Sequence, residues 1–352
     1  MNFSLLQPAV RVSFGAGAFE RIEGEISALG RSRVMLIASA SLSAARERLQ
    51  GVLDDRCVAV VSSVRQHVPA EDARGALEGA RAAEADCVVA IGGGSAIGLG
   101  KAVVLDSEAS LVAVPTTYSG SEMTPIYGIT TGEGKRTGRD ERARPDAVVY
   151  DPELTTSLPA DETAASGMNA LAHCVEAAYA PDRSPVTSLL STEGARLLFR
   201  ALPTAVVAPG NIEARREAML GGFYAGWALG LTTMGPHHRI CHVLGGSFRI
   251  SHGLANAVML PYVVSLKAGD AGSELEPIAD VFGVTVASLP RAIRDFVASL
   301  GSPTDLTAIG FDVRDAPEAA RLVTTTSDPD GARFDIEELL RRACEGTLAD
   351  RR

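Results

Sequence analysis

The sequence has few aromatics and none of the marks of a secreted, membrane or nucleic-acid-binding chain. Aromatic residues make up 5% of it, with one tryptophan, so its cores must be built from Ala, Val, Leu and Ile. Cysteine is sparse and odd in number: Cys57, Cys87, Cys174, Cys241 and Cys344, widely spaced and without a CxxC. That argues against a disulfide framework or a structural zinc site, and reads as reduced thiols of a cytoplasmic protein. No uncharged apolar stretch is long enough to span a bilayer, so no membrane partner is expected. The opening MNFSLLQPAVRVSFG has no basic segment followed by a long apolar run, so no signal peptide is expected. Positive charge is also lacking. A formal net charge of −10 argues against a nucleic-acid partner, because neutralising phosphates needs a concentrated basic surface. A locally positive pocket for an anionic small molecule is compatible with it.

What is present is an ordinary globular balance of 46% hydrophobic and 22% charged residues. The 352 residues exceed one core and predict two domains. Up to about residue 155, short apolar runs alternate with Ala-rich charged stretches. The strand-like runs are Arg11–Phe14, Val34–Ser39, Cys57–Val64, Cys87–Ile91, Leu111–Thr116 and Ala147–Tyr150. Runs apolar on both faces suit a parallel sheet covered by helices, such as the one expected over Ala70–Ala85. The alternation predicts an α/β domain over 1–155 with a doubly wound, mainly parallel sheet. After Asp151-Pro152 strand-like runs become rare and helical periodicity takes over. Gly167–Ala178, Pro185–Leu198, Ile212–Leu229, His237–Leu244, Leu289–Leu300 and Ile336–Cys344 predict an all-α domain over 156–352.

Two loops of the first domain suit an anion. Cys87–Ile91 runs into Gly92-Gly93-Gly94-Ser95, and Ala96–Leu105 then reads as a helix. Glycines allow close backbone approach to a phosphate, and a helix N-terminus offers free N–H groups. A tight strand-to-helix turn with no ligand would look the same. The next strand ends in Pro115-Thr116-Thr117-Tyr118-Ser119-Gly120-Ser121-Glu122, placing hydroxyls where open α/β sheets bind ligands. Ser39 ends VMLIAS, where a ribose 2′-hydroxyl could be read. It lacks the acidic charge that would repel a 2′-phosphate, which fits NADH and NADPH alike. An ordinary strand-end serine is the other reading.

Four of the six histidines, His237, His238, His242 and His252, fall within sixteen residues. Pro236 suits a first helical position and Gly245 a stop, so His238 and His242 share a helix face. His252 then follows a loop that could fold back beside them. His173 lies on the helix expected over Gly167–Ala178. His173, His238 and His252 together have the chemistry to bind a divalent metal. His237 reads as structural or peripheral, and His67 as a satisfied loop histidine.

These motifs, in this order, resemble the iron-containing alcohol dehydrogenase superfamily, whose fold is also that of dehydroquinate synthase. The resemblance runs to about Lys267, and includes Asp151-Pro152-Glu153-Leu154 and Gly120-Ser121-Glu122. It implies a cofactor domain, a helical domain, an active site in the cleft between them, and a homodimer. In metal-dependent members an Asp and three His bind iron or zinc. The matching positions here are Asn169, His173, His238 and His252, and His242 matches a non-ligand histidine associated with proton transfer. Asn169 is neutral, so the resemblance implies a degenerate site with no tightly bound metal.

Ser166–Ala177, Pro115–Pro125, Thr137-Gly138-Arg139-Asp140 and His237–Gly246 are similar to maleylacetate reductases. That branch reduces the conjugated double bond of maleylacetate to 3-oxoadipate with NADH or NADPH. The resemblance implies cofactor contacts at Gly93, Gly94, Ser95, Thr116, Thr117 and Lys135, which join Ser39 as read from its strand end, and catalytic roles for His173, His238, His242 and His252. Arg239 and Arg249 read as surface residues. The Asn-Pro-Arg segment usual in that branch is replaced by Thr326-Ser327-Asp328-Pro329-Asp330-Gly331, which leaves a related enone open as the substrate. A metal-dependent alcohol dehydrogenase or aldehyde reductase, and a non-redox lyase or cyclase on the same fold, remain alternatives.

Overall fold

The apolar runs become strands. In the computed structural model, which describes residues 3–132, 134–325 and 335–348, eight strands form. They are β1 (Arg11–Phe14), β2 (Val34–Ala38), β3 (Cys57–Val61), β4 (Cys87–Gly92), β5 (Ser110–Pro115), β6 (Ile126–Thr131), β7 (Gly134–Arg139) and β8 (Ala147–Tyr150). Six of them build one sheet in the order β1-β8-β5-β4-β2-β3. Every pairing in it is parallel. β6 and β7 form a separate antiparallel hairpin, which the apolar runs do not predict. IYGITT is half-buried with its last residue exposed and interrupts its apolar residues with Gly and Thr, and GKRTGR consists of Gly, Thr and charge, so they lack the double-sided apolar signature of the main sheet.

Both faces of the sheet are buried because side chains alternate along each strand. Val34 and Leu36 of β2 and Val89 and Ile91 of β4 join one core, against α1 (Ile22–Ala28) and α2 (Ser43–Leu53). Met35 and Ile37, with Val88 and Ala90, join the other, against α3 (Ala70–Ala82) and α4 (Gly94–Leu105). Each Val, Leu, Ile or Met side chain among these, taken fully from water, contributes about 1.5–3 kcal/mol. This is the expected doubly wound arrangement.

The remaining helices are α5 (Ala160–Tyr179), α6 (Pro185–Val207), α7 (Ile212–Gly230), α8 (Pro236–Phe248), α9 (His252–Lys267), α10 (Gly272–Phe282), α11 (Leu289–Ser299), α12 (Ala316–Thr325) and α13 (Ile336–Glu345). Most of the helix C-terminal to β8 is thus as expected. α6 starts at a capping box, in which the Ser184 hydroxyl accepts from the Thr187 N–H and the Thr187 hydroxyl from the Ser184 N–H. A core of α8, α9, α12 and α13 forms around Met259, Tyr262, Val263 and Leu340. Among the described residues no helix is long and apolar enough to cross a membrane.

Two compact units result: Leu6–Leu158 with Gly210–Met219, and Pro159–Pro209 with Leu220–Arg352 and Met1–Leu5. Gly210–Met219 belongs to the α/β unit, and Arg215 shows why. Its fully buried guanidinium donates to the Tyr118 hydroxyl at 3.0 Å and to the Leu158 carbonyl at 3.0 Å. Replacing Arg215 by Met removes both of these buried hydrogen bonds, and should cost about 1–3 kcal/mol. A lower thermal midpoint for Arg215→Met than for Tyr118→Phe checks this; equal midpoints would count against it.

Candidate active site

The helical unit gathers its imidazoles from three helices. On α5, Asn169, His173 and Glu176 follow at helical spacing and share a face. α8 carries His237, His238 and His242, and α9 opens with His252. Two expectations need correction here. Gly245 does not stop α8, which runs on to Phe248 and ends at Arg249 in the left-handed region. His252 is therefore not held on a long loop; a short link from Arg249 to Ser251 leads into α9, whose first residue it is.

Glu176 organises the cluster. α8 begins with Pro236, and its N-cap Gly235 offers no side chain to the free N–H groups. The Glu176 carboxylate takes that role from α5. Its Oε1 accepts from the His237 N–H at 2.8 Å and the His238 N–H at 3.4 Å, and its charge suits a helix N-terminus. A Cβ at Gly235 would lie 2.6 Å from that oxygen, so only glycine leaves room for it. The other oxygen, Oε2, lies 2.6 Å from His238 Nδ1, and the Tyr179 hydroxyl donates to Oε1 at 3.3 Å. Burial works to raise the Glu176 pKa. Attraction and hydrogen bonding from His238, with help from His237, outweigh it and hold the carboxyl at about 2. An ionised carboxylate can only accept, so Nδ1 of His238 carries the proton. Its Nε2, also buried, has no hydrogen-bond partner.

The other imidazoles differ in environment. His173 is buried and stacks on His238 with ring centroids 4.6 Å apart. Burial, then the neighbouring His238, His237 and His242, push its pKa well below the usual histidine range, so it is neutral. Its Nδ1 is buried without a partner. His237, read as structural, donates Nε2–H to Asn256 Oδ1 at 2.8 Å, and the Asn256 amide donates to the His252 carbonyl at 2.7 Å. Burial is the main cause that lowers the His237 pKa to about 4. His242 and His252 are half-buried and stack at 5.5 Å, with their centroids 6.3 and 6.4 Å from that of His238. Arg239 is half-buried and Arg249 exposed.

As a metal site this donor set fits poorly. The position where a carboxylate would offset a divalent charge is Asn169. Among the described residues no group of three or more His, Cys, Asp or Glu side chains could hold a metal ion. As a proton-handling site it fits well, since it offers neutral and carboxylate-anchored imidazoles side by side.

The α/β unit has its own candidate site. β4 leads through Gly93, which precedes α4, so Gly94 and Ser95 lie in the first helical turn. Thr116, after β5, donates its N–H to the Gly92 carbonyl at 3.1 Å. The two loops touch closely: a Cβ at Gly93 would lie 3.0 Å from Thr117 Cγ2. Thr117 Oγ1 is buried and has no partner, as expected of a hydroxyl meant for a ligand. The glycine turn, helix N-terminus and unpaired hydroxyl fit a cofactor phosphate. Ser39 caps the turn after β2, with its hydroxyl 2.8 Å from that of Ser41. Lys135 lies on β7, and its side chain lies outside the described ones, as does the whole Thr326–Gly331 segment. His67 is half-buried, and its carbonyl accepts from the Thr130 hydroxyl at 2.7 Å.

Glu176, Gly235 and Asn256 carry the cluster without being evident as site residues in the sequence. The available signal was the spacing of Glu176, three residues after His173 on an expected helix. The Glu176 pKa falls from 4.5 to about 2 on folding. The stability it contributes is therefore complete above about pH 4.5 and is lost as pH falls toward 2. Glu176→Gln should lower stability at neutral pH by about 3 kcal/mol and flatten that acid dependence. Urea midpoints measured against pH check it; parallel curves for the two proteins would refute the role given to this carboxylate.

Comparison with known proteins agrees with both units. The model of the iron-containing alcohol dehydrogenase family matches residues 9–152, and that of the C-terminal part of the Fe-containing alcohol dehydrogenase family matches 163–344. The chain is 41% identical to maleylacetate reductase of Burkholderia cepacia over 98% of this chain and 99% of that protein. It superposes on the crystal structure of maleylacetate reductase from Rhizobium sp. strain MTP-10005 with a TM-score of 0.93 at 37% identity, covering 99% of each chain. The Agrobacterium tumefaciens maleylacetate reductase structure gives 0.93 at 38% identity, covering 99% of this chain and 100% of that one. The chain belongs to the iron-containing alcohol dehydrogenase family, in its maleylacetate reductase branch, and is an oxidoreductase.

Proposed function

We propose that this enzyme uses NADH or NADPH to reduce the conjugated carbon–carbon double bond of maleylacetate, or of a closely related enone, without a metal. The observation that carries the reading is the imidazole cluster, with Asn169 in place of the carboxylate ligand and Glu176 holding His238 from behind. The maleylacetate reductases similar to this chain over nearly their whole length support the choice of substrate.

The nicotinamide, when bound, supplies a hydride to the carbon β to the ketone. Gly93, Gly94, Ser95, Thr116 and Thr117 would hold the cofactor phosphates, with Ser39 and Lys135 toward its riboses. Ser39 places no negative charge against a 2′-phosphate, which is compatible with either cofactor. Addition of hydride moves the electron pair of the double bond onto the ketone oxygen as a delocalised enolate. That is a much weaker base than the alkoxide a metal-dependent alcohol dehydrogenase must stabilise, so imidazole N–H donors suffice for it. His173, His238, His242 and His252 serve as these donors. One of them delivers the proton to the α-carbon, completing 3-oxoadipate when maleylacetate is the substrate.

Purified enzyme should oxidise NADH or NADPH in proportion to added maleylacetate, read from the loss of reduced-nicotinamide absorbance. His242→Ala should lower kcat by about a hundredfold or more while leaving the Kd for the cofactor nearly unchanged. Equal losses in both would point to misfolding, and full turnover would remove His242 from the mechanism. Asn169→Asp should restore a charged donor and raise zinc affinity by at least about tenfold, measured by competition with a chromogenic chelator. No change would contradict the place given to residue 169.

A further inference from the structure

A fully buried lysine lies beneath the hydroxyl loop of the α/β unit. Lys101, on α4, places its Nζ 2.7 Å from the Ser121 carbonyl, 2.8 Å from that of Thr124 and 2.7 Å from that of Ile126. Its side chain is 0% exposed. An ammonium has three N–H donors and no acceptor, so the three carbonyls use all of them. The Thr124 hydroxyl lies 3.2 Å from the same nitrogen and donates to the Ser121 carbonyl at 3.0 Å. The surroundings are themselves buried and ionisable. Arg144 donates to the Met123 carbonyl at 2.7 Å, and the Tyr150 hydroxyl donates to Glu122 Oε1 at 2.8 Å. Burial lowers the Lys101 pKa to about 7 and raises that of Glu122 to about 7. Keeping a lysine here has a cost, and the contacts say what it does: it gathers the backbone of 121–126 around one atom.

That segment follows directly from Thr116–Gly120. The loop is tied at its start by the Thr116 N–H to the Gly92 carbonyl, and in its middle by Tyr118 to Arg215. Lys101 ties its end. Thr117, with its buried unpaired hydroxyl against Gly93, lies between the first two ties.

We propose that Lys101 is a positioning residue for the nicotinamide cofactor: by clamping the Ser121, Thr124 and Ile126 carbonyls it fixes the loop that presents Thr117 beside the glycine turn, without touching the cofactor itself. This rests on the cofactor placement given under the proposed function. A cradle held rigid before binding loses less ordering entropy when the ligand arrives. Loosening it weakens the cofactor more than it slows the chemistry.

The test titrates NADH, and separately NADPH, into wild type, Lys101→Met, Thr124→Val and Thr117→Val, with a thermal melt on each protein. Lys101→Met should raise the Kd and KM for the cofactor about tenfold, with kcat at saturating cofactor falling far less. Thr124→Val removes the hydroxyl that donates to the Ser121 carbonyl and accepts from the Ile126 N–H, and should raise the Kd about threefold in a protein that still folds, with a melt only modestly lowered. If Lys101→Met does not fold, Thr124→Val decides: a weakened cofactor supports the clamp, and an unchanged Kd overturns it. Folded Lys101→Met that binds as wild type, while Thr117→Val binds weakly, refutes the clamp and leaves the cofactor placement standing. Wild type that binds neither NADH nor NADPH refutes the placement, and the clamp with it.

Discussion

The carboxylate of Glu176 is the constraint on which the arrangement of the helical unit's imidazoles depends. One buried side chain caps α8, fixes the proton of His238 on Nδ1 and forces glycine at 235. Removing it would free a helix end, an imidazole orientation and a charge balance together. A buried carboxylate is tolerated only when such partners surround it. Beside that carboxylate, His238 Nε2 and His173 Nδ1 are buried polar atoms with no hydrogen-bond partner. Buried polar groups are ordinarily hydrogen-bonded, so two such atoms within one cluster of imidazoles suit a place that meets a ligand or water.

The two units solve the same problem in opposite ways. In the helical unit a buried anion arranges bases. In the α/β unit buried cations arrange a loop: Arg215 holds Tyr118, Lys101 holds 121–126 and Arg144 holds Met123. A chain with net charge −10 keeps these positive groups inside, below the loop that would meet an anionic cofactor. Net charge describes the surface and says little about a site of a few side chains.

Much of the fold was legible because burial on both faces leaves a plain record. VMLIA, CVVAI and LVAVP lie in strands because nothing polar in them asks for water, and the glycine turn follows the second of them as read. The hairpin of β6 and β7 left no such record, since IYGITT and GKRTGR pair through backbone bonds and mix polar residues and glycine with the few apolar ones. Gly245 misled because a glycine is permitted inside a helix when tertiary packing supplies the stability its propensity withholds. The histidines could be found because their residue type is rare and clustered. Glu176 and Lys101 were harder to find, because their roles lie in contacts with backbone 20 to 62 residues away. Acidic and basic residues on helices are ordinarily solvated, and spacing alone gives no reason to bury them.

The central claim is that anchored imidazoles, with no cation among them, carry the proton chemistry of this site. It is tested most directly by elemental analysis of the purified enzyme together with its turnover on maleylacetate before and after dialysis against a strong chelator. The account predicts far less than one iron or zinc per chain and a rate that survives the chelator. One tightly held metal per chain, with activity lost on its removal and regained on its return, would contradict it.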